Sequence, residues 1–106
     1  MRCDASVTRW ALRETPRAEK LNALLADEGL RAHRWSNRPG DRFPARTHAF
    51  HKVIYVVAGS ITFRLPACGE DVRLEAGDRL DLPAGVQHDT EVGMRGVTCL
   101  EAHRPS

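Results

Sequence analysis

The sequence predicts an all-β domain, an antiparallel barrel or sandwich, with one helix at its N-terminal side. Short runs rich in β-branched residues recur from residue 31 onward, with turn residues between them. Near residue 30 the apolar pattern changes from helical to alternating spacing. A block of turn residues at 77–88, GDRLDLPAGVQH, frames one of the strands. At 106 residues, the chain has room for a single core.

The helix is expected over residues 16–28. Thr15 is a good N-cap, Pro16 suits the first turn and Gly29 is placed to end the helix. Three leucines form one apolar stripe at helical spacing: Leu21, Leu24 and Leu25. We therefore divide the chain into an N-terminal arm and helix, residues 1–30, packed on a barrel of residues 31–106.

The longest β signal is HKVIYVVA at residues 51–58. With Gly59 and Ser60 as a tight turn and residues 61–65 alternating, it predicts a hairpin. Further short strands are expected at 31–35, 72–74, 80–82, 86–92 and 97–102.

Residues 53–57 are apolar on both faces, although the outer face of a lone antiparallel barrel is normally polar. Either the leucine stripe of the helix or a second copy of the chain is expected to cover that outer face. The sequence therefore favours a homodimer over a monomer.

Composition argues against several classes of partner. The formal net charge is +2, and no lysine and arginine cluster with interleaved aromatic residues predicts nucleic-acid binding. No apolar run approaches the ~20 residues that cross a bilayer, and residues 1–10 lack the apolar core of a signal peptide, so we expect a cytoplasmic protein without a membrane partner. Three cysteines in no paired spacing argue against a disulfide framework and against a zinc knuckle.

The fixed residues of the block at 77–88 each have a structural role. Gly77 and Gly85 allow turns at positive φ. Pro83 ends the strand between them because it has no N–H to donate, and His88 then begins the next strand.

Three histidines are candidates for one site. His48 and His51 open the long strand, and His88 closes the block, so antiparallel pairing of the two segments across a small barrel would point the imidazoles toward one mouth. Imidazole nitrogens suit Zn, Ni, Cu or Fe(II). His51 needs a β-bulge to join His48, since residues 48 and 51 of a regular strand face opposite sides. The other two, His33 and His103, are flanked by arginine and are expected to be exposed or satisfied.

These residues resemble the two motifs of a small single-domain cupin. The second motif, G-x5-P-x-G-x2-H-x3-N, is matched except that Val92 stands at the Asn position. The first, G-x5-H-x-H-x3,4-E-x6-G, is matched at Gly40, His48 and Gly59. Arg46 stands where it has its first histidine, and Lys52 where it has glutamate. The resemblance covers residues 31–103 and implies a jelly-roll barrel, or double-stranded β-helix, with the site inside.

The resemblance implies a divalent transition metal, Zn, Ni, Mn or Fe, held by His48, His88 and, as third ligand, His51. The protein would then be an enzyme acting on a small organic acid, of oxygenase, isomerase or decarboxylase type.

Arg46 and Lys52 support an alternative, a non-catalytic binding module or sensor with a degraded metal site. Their charges would hold a small anionic ligand, with Tyr55 as pocket wall beside it. The alternative for both long side chains is that they extend into solvent. Cys99 is expected to be a buried inert thiol. Asp81 and Glu101 are candidate outer-shell carboxylates, although strand alternation places Asp81 opposite Leu80 and Leu82, where we expect it to be exposed.

Overall fold

A computed structural model describes residues 3–104 of the chain. These residues form one α-helix, one 3-10 turn and seven strands. In chain order the elements are β1 (Ser6–Thr8), α1 (Ala18–Asp27), β2 (His33–Asn37), β3 (Arg42–Arg46), β4 (His51–Leu65), the 3-10 turn (Pro66–Cys68), β5 (Glu70–Glu75), β6 (Arg79–Leu82) and β7 (His88–Arg104).

Two long antiparallel strands, β4 and β7, hold the barrel together. The first part of β4 pairs with β6 and its last part pairs with β5. In the same way, the start of β7 pairs with β3 and its later part pairs with β2. Each long strand therefore belongs to both halves of the sheet, and the predicted jelly-roll barrel is confirmed.

The predicted hairpin at Gly59 and Ser60 is wrong. Strand β4 runs on through both residues, and its pairing with β7 shifts register between Val56 and Ala58 and again between Gly59 and Ile61. Gly59 has φ +79°, and a Cβ there would collide with the carbonyl oxygen of Gly96, itself at φ +77°. These glycines let two bent strands approach closely. The residues that predicted a turn therefore form a bend within one continuous strand. The strands expected at 86–92 and 97–102 are likewise one strand, and β3 was not predicted.

Helix α1 is shorter at its start than predicted. Arg17, not Thr15, is the N-cap, it is extended, and it makes no side-chain capping hydrogen bond. The predicted end is confirmed: Gly29 has φ +75°, and the N–H of Leu30 donates to the carbonyl of Leu25 at 2.9 Å, as in a Schellman motif.

The outer face of β4 is covered by α1. Leu21 and Leu25 are completely buried and pack in one cluster with Val53 and Tyr55. The alternate residues of β4, such as Ile54, belong to the inner core of the barrel. The apolar outer face of β4 is thus covered by a helix of the same chain. The homodimer stays a prediction, but this face no longer argues for it.

The N-terminal segment is tied to the barrel twice. Strand β1 pairs with β6. Cys3 forms a disulfide with Cys68, with their Cα atoms 5.0 Å apart, so the expectation against a disulfide is wrong. Cysteines 65 residues apart give no local spacing signal, and only the fold brings them together. The domain boundary at residue 30 stays a prediction. Strand β1 lies before that boundary but pairs with the sheet of the barrel.

No helix within residues 3–104 is long and apolar enough to span a membrane.

Candidate functional site

A cavity of about 250 Å³ lies inside the barrel. Its walls come from the inward faces of β2, β3, β4 and β7, and combine apolar and aromatic side chains with a few polar groups. The lining residues are Trp35, Asn37, Phe43, Arg46, Lys52, Ile54, Ile61, Phe63, His88, Thr90 and Glu101. An apolar cavity with a few converging polar groups is the usual form of a small-molecule site.

The structure brings His48 next to His88, with ring centroids 5.2 Å apart, and of the two only His88 lines the cavity. His48 precedes β4, and its carbonyl accepts a hydrogen bond from the N–H of Gly85 at 2.9 Å, which joins the two motif loops. Nε2 of His48 is buried without a hydrogen-bond partner. The chain positions predicted to meet therefore do meet.

Burial and nearby positive charges lower the pKa of both imidazoles, which favours their neutral form. Burial lowers the pKa of His48, and the positive charge of Lys52 lowers it further. Burial also lowers the pKa of His88, and this effect outweighs a hydrogen bond to the carbonyl of Val86. The cations Lys52 and Arg46 add to the effect at His88.

Lys52 points into the barrel and is neutralised by Glu101. Nζ of Lys52 lies 3.4 Å from Oε2 of Glu101, and the two side chains are only 10% and 9% exposed. Trp35 Nε1 donates to Oε1 of Glu101 at 3.2 Å, and His103 Nε2 lies 2.6 Å from Oε2. Burial alone raises the pKa of Glu101, but the contacts with His103 and Lys52 keep it below its ordinary value.

Glu101 therefore belongs to the cavity wall and is not the outer-shell group expected from the sequence. Alternation along β7 carries the signal, since Val97, Cys99 and Glu101 share one face and the first two are in the inner core. Cys99 is the buried thiol expected, and burial raises its pKa to about 12.

His51 and Tyr55 do not line the cavity. The pairing of β4 is regular from residue 51 to 56, so His51 is on the same face as Val53 and Tyr55, opposite the inward-facing Ile54. Nε2 of His51 instead lies 3.5 Å from Oδ1 of Asp81. Tyr55 packs beneath helix α1, with the guanidinium carbon of Arg79 5.5 Å from its ring centroid. The parity of a regular strand places both side chains outside the barrel.

Arg46 is exposed but reaches the cavity. It pairs with His88 in the β3–β7 register, and its guanidinium carbon lies 5.9 Å from the centroid of the Phe43 ring. Nearby, Phe50 stacks on His48 with centroids 5.2 Å apart and on His103 at 4.1 Å. His103 is thus part of the site's surroundings, although its arginine-rich sequence context gave no sign of it.

The donor set does not fit the metal centre that the resemblance implies. Within residues 3–104, no three His, Cys, Asp or Glu side chains are placed to hold one ion. Two imidazoles converge, but the carboxylate position is an ammonium group, Lys52, and both oxygens of Glu101 already have donors. A cation beside the imidazoles opposes a dication.

The motif residues, the barrel and the interior site agree with one family. A family model for the cupin domain matches residues 33–93. The chain belongs to the cupin family. No curated protein gives a significant match.

Solved structures support the same fold for this cupin. A DUF861 family protein from Thermotoga maritima superposes with a TM-score of 0.66 at 18% identity, covering 95% of this chain and 100% of that one. An RmlC-like cupin from Shewanella frigidimarina has a TM-score of 0.61 at 25% identity, covering 73% and 67%. The DMSP lyase DddQ from Ruegeria pomeroyi has a TM-score of 0.65 at 25% identity, covering 73% of this chain and 39% of the lyase. Its neighbours therefore include an enzyme.

Proposed function

We propose that this cupin binds a small organic anion inside its barrel, as a sensor or carrier, without a metal ion. The observation that carries the proposal is the buried Lys52–Glu101 pair, because it places an intrinsic cation where the family motif has a metal-binding carboxylate. The sum of the charged cavity side chains also favours an anion. Arg46 and Lys52 carry two positive charges against one negative charge on Glu101, and burial lowers the pKa of His88, which disfavours a charge on its ring.

The size and lining of the cavity support a ligand with one apolar part. At ~30 Å³ per water molecule, about 250 Å³ accommodates roughly eight waters, or a ligand of about ten non-hydrogen atoms. Phe43, Ile61 and Phe63 provide an apolar wall for the body of such a ligand. A carboxylate at Arg46 and Lys52 would gain charge-assisted hydrogen bonds there.

The metal-dependent enzyme is the competing reading, and the two differ in what Arg46 and Lys52 do. Under the anion proposal these side chains bind the ligand. Under the metal proposal they occupy positions where ligands are missing. The experiment therefore has two arms. One removes the positive charge of Arg46 and measures anion binding, and the other replaces Arg46 and Lys52 by the metal-ligating residues of the family motif and measures metal binding.

Binding of phenylacetate, benzoate and hexanoate is measured by calorimetry and by amide chemical shifts. We expect at least one to bind wild-type protein with shifts at cavity residues, and Arg46→Met to weaken that binding tenfold or more. Arg42→Met is the matched control on the same strand, since Arg42 is exposed and contacts Glu91. Binding in Arg42→Met should stay within twofold.

The metal arm uses Zn²⁺, Ni²⁺ and Mn²⁺ with wild-type protein and with the Arg46→His, Lys52→Glu double variant. We expect the double variant to bind metal at least tenfold more tightly than wild type. If wild-type protein binds metal as tightly as the double variant, or if neither these three carboxylates nor related small organic anions bind, the proposal is overturned.

A further inference from the structure

The hydrogen bond of His88 fixes what the ligand meets in the cavity. Nδ1 of His88 lies 3.1 Å from the carbonyl oxygen of Val86. A carbonyl only accepts, so Nδ1 carries the hydrogen, and the neutral ring keeps a lone pair on Nε2. His88 is 3% exposed and lines the cavity. The buried ring therefore presents a hydrogen-bond acceptor to a ligand.

The other polar groups of the cavity do not replace this acceptor. Both oxygens of Glu101 receive donors from the protein, and Arg46 and Lys52 only donate. The side chains of Asn37 and Thr90 both donate and accept, so they do not select a ligand chemistry. A simple carboxylate would pair with the cations but not with Nε2 of His88, so a ligand that also donates to this nitrogen gains a further hydrogen bond.

Cation and acceptor lie side by side. Arg46 and His88 are register partners across β3 and β7, and directly opposed residues have Cβ atoms roughly 4.5–5.5 Å apart. A donor and an anionic group on neighbouring carbon atoms of one ligand span such a separation.

We propose that the ligand is a small 2- or 3-hydroxycarboxylate, with its carboxylate at Arg46 and Lys52 and its hydroxyl donating to Nε2 of His88. This inference rests on the proposed anion-binding function. His88 is then the residue that selects for the hydroxyl group, because a site built to pair a hydroxyl rejects the analogue without it.

Three probes separate the hydroxyl from the rest of the ligand: mandelate, phenylacetate, which lacks the hydroxyl, and O-methylmandelate (α-methoxyphenylacetate), which keeps the oxygen but cannot donate. We expect wild-type protein to bind one enantiomer of mandelate about tenfold or more tightly than either analogue. In His88→Phe, which keeps a ring but no acceptor, the ratio of mandelate to phenylacetate affinity should fall to near one. His51→Asn, which removes an imidazole outside the cavity, is the matched control and should retain the preference.

Nitrogen chemical shifts of His88 in wild-type protein test the contact even where a variant fails to fold. Mandelate should shift the Nε2 resonance, and phenylacetate should not. Equal affinities for the three probes, or a preference that survives in His88→Phe, would overturn the hydroxyl inference and leave anion binding intact. If no probe and no simple carboxylate binds, the proposed function fails with it.

Discussion

The ammonium nitrogen of Lys52 lies 3.4 Å from a carboxylate oxygen of Glu101, inside the barrel. Lys52 comes from β4 and Glu101 from β7, and each is less than a tenth exposed. Two further donors, Trp35 and His103, hold the carboxylate in place. An ion pair taken out of water is tolerated only with such additional hydrogen bonds.

Removing one member of this pair should destabilise the fold strongly. In Glu101→Gln, Lys52 becomes a buried cation without its counter-ion, and we expect a loss of about 3–5 kcal/mol in the free energy of unfolding. Lys52→Met should cost less, because Glu101 keeps Trp35 and His103. Urea unfolding at pH 7.5 measures both.

The double variant Lys52→Met, Glu101→Gln should cost clearly less than the sum of the single changes. Arg73→Met is the control, since the Arg73–Glu75 pair is exposed and worth at most about 1 kcal/mol. Strict additivity of the two buried substitutions would show that the two side chains do not interact.

Acidification should destabilise the protein between about pH 7 and 5. The pKa values of His48 and His88 lie below 6.5 in the folded protein, whereas unfolding restores the ordinary value. The unfolded chain therefore binds more protons in this range, so stability present above pH 6.5 is lost as the pH falls toward the folded-state values. The midpoint of urea unfolding should therefore decrease from pH 7.5 to 6.5 and again from pH 6.5 to 5.5.

The slope with pH identifies the groups responsible. His88→Gln should flatten it, and His33→Gln, at an exposed imidazole, should not. A slope unchanged by His88→Gln would contradict the assignment to that ring.

The contact of α1 with β4 should be essential for stability. Leu21 is completely buried, so Leu21→Ala is expected to cost about 2–5 kcal/mol in urea unfolding. Leu12→Ala, at a leucine that is 51% exposed, should change stability by at most about 0.5 kcal/mol.

Leu21→Asp tests what lies beneath the helix. If α1 is displaced, the apolar face of Val53 and Tyr55 becomes exposed, and light scattering should detect self-association that wild-type protein lacks. A variant that stays folded and of unchanged size would mean that another segment covers this face.

Reduction should lower stability by opening the Cys3–Cys68 disulfide. A bond joining residues 65 apart contributes up to about 4 kcal/mol through the unfolded chain. We expect dithiothreitol to lower the melting temperature of wild-type protein and to leave that of Cys68→Ser unchanged. Without reductant, denatured wild-type protein should show one reactive thiol, Cys99; three would contradict the disulfide.

The fold and the centre of the site were predictable because their signals are local. The block ending at His88 combines turn glycines, a proline and a histidine whose roles follow from backbone chemistry. The helix end at Gly29 follows from similar rules. His48 was found through its motif spacing, and the meeting with His88 required only antiparallel strands.

The structure differs from the expectations where the outcome depends on how a segment pairs within the folded sheet. Gly59 has the composition of a turn, and only its close approach to Gly96 shows that the chain bends and continues. His51 and Tyr55 are outside because β4 stays regular there, and strand regularity is invisible in residue type. The role of Glu101 was missed because it depends on the ion pair with Lys52, which is distant in the sequence.

The pairing of β4 with β7 has a consequence for biosynthesis. Strand β4 is apolar on both faces, and its main partner is not complete until residue 104 has been made. At ~5–20 residues per second, the ribosome needs roughly 2–8 s to add the ~40 residues that separate the two strand ends. During that interval β4 exposes apolar side chains and unpaired backbone N–H and C=O groups. Binding of molecular chaperones would protect the nascent chain from aggregation at this stage.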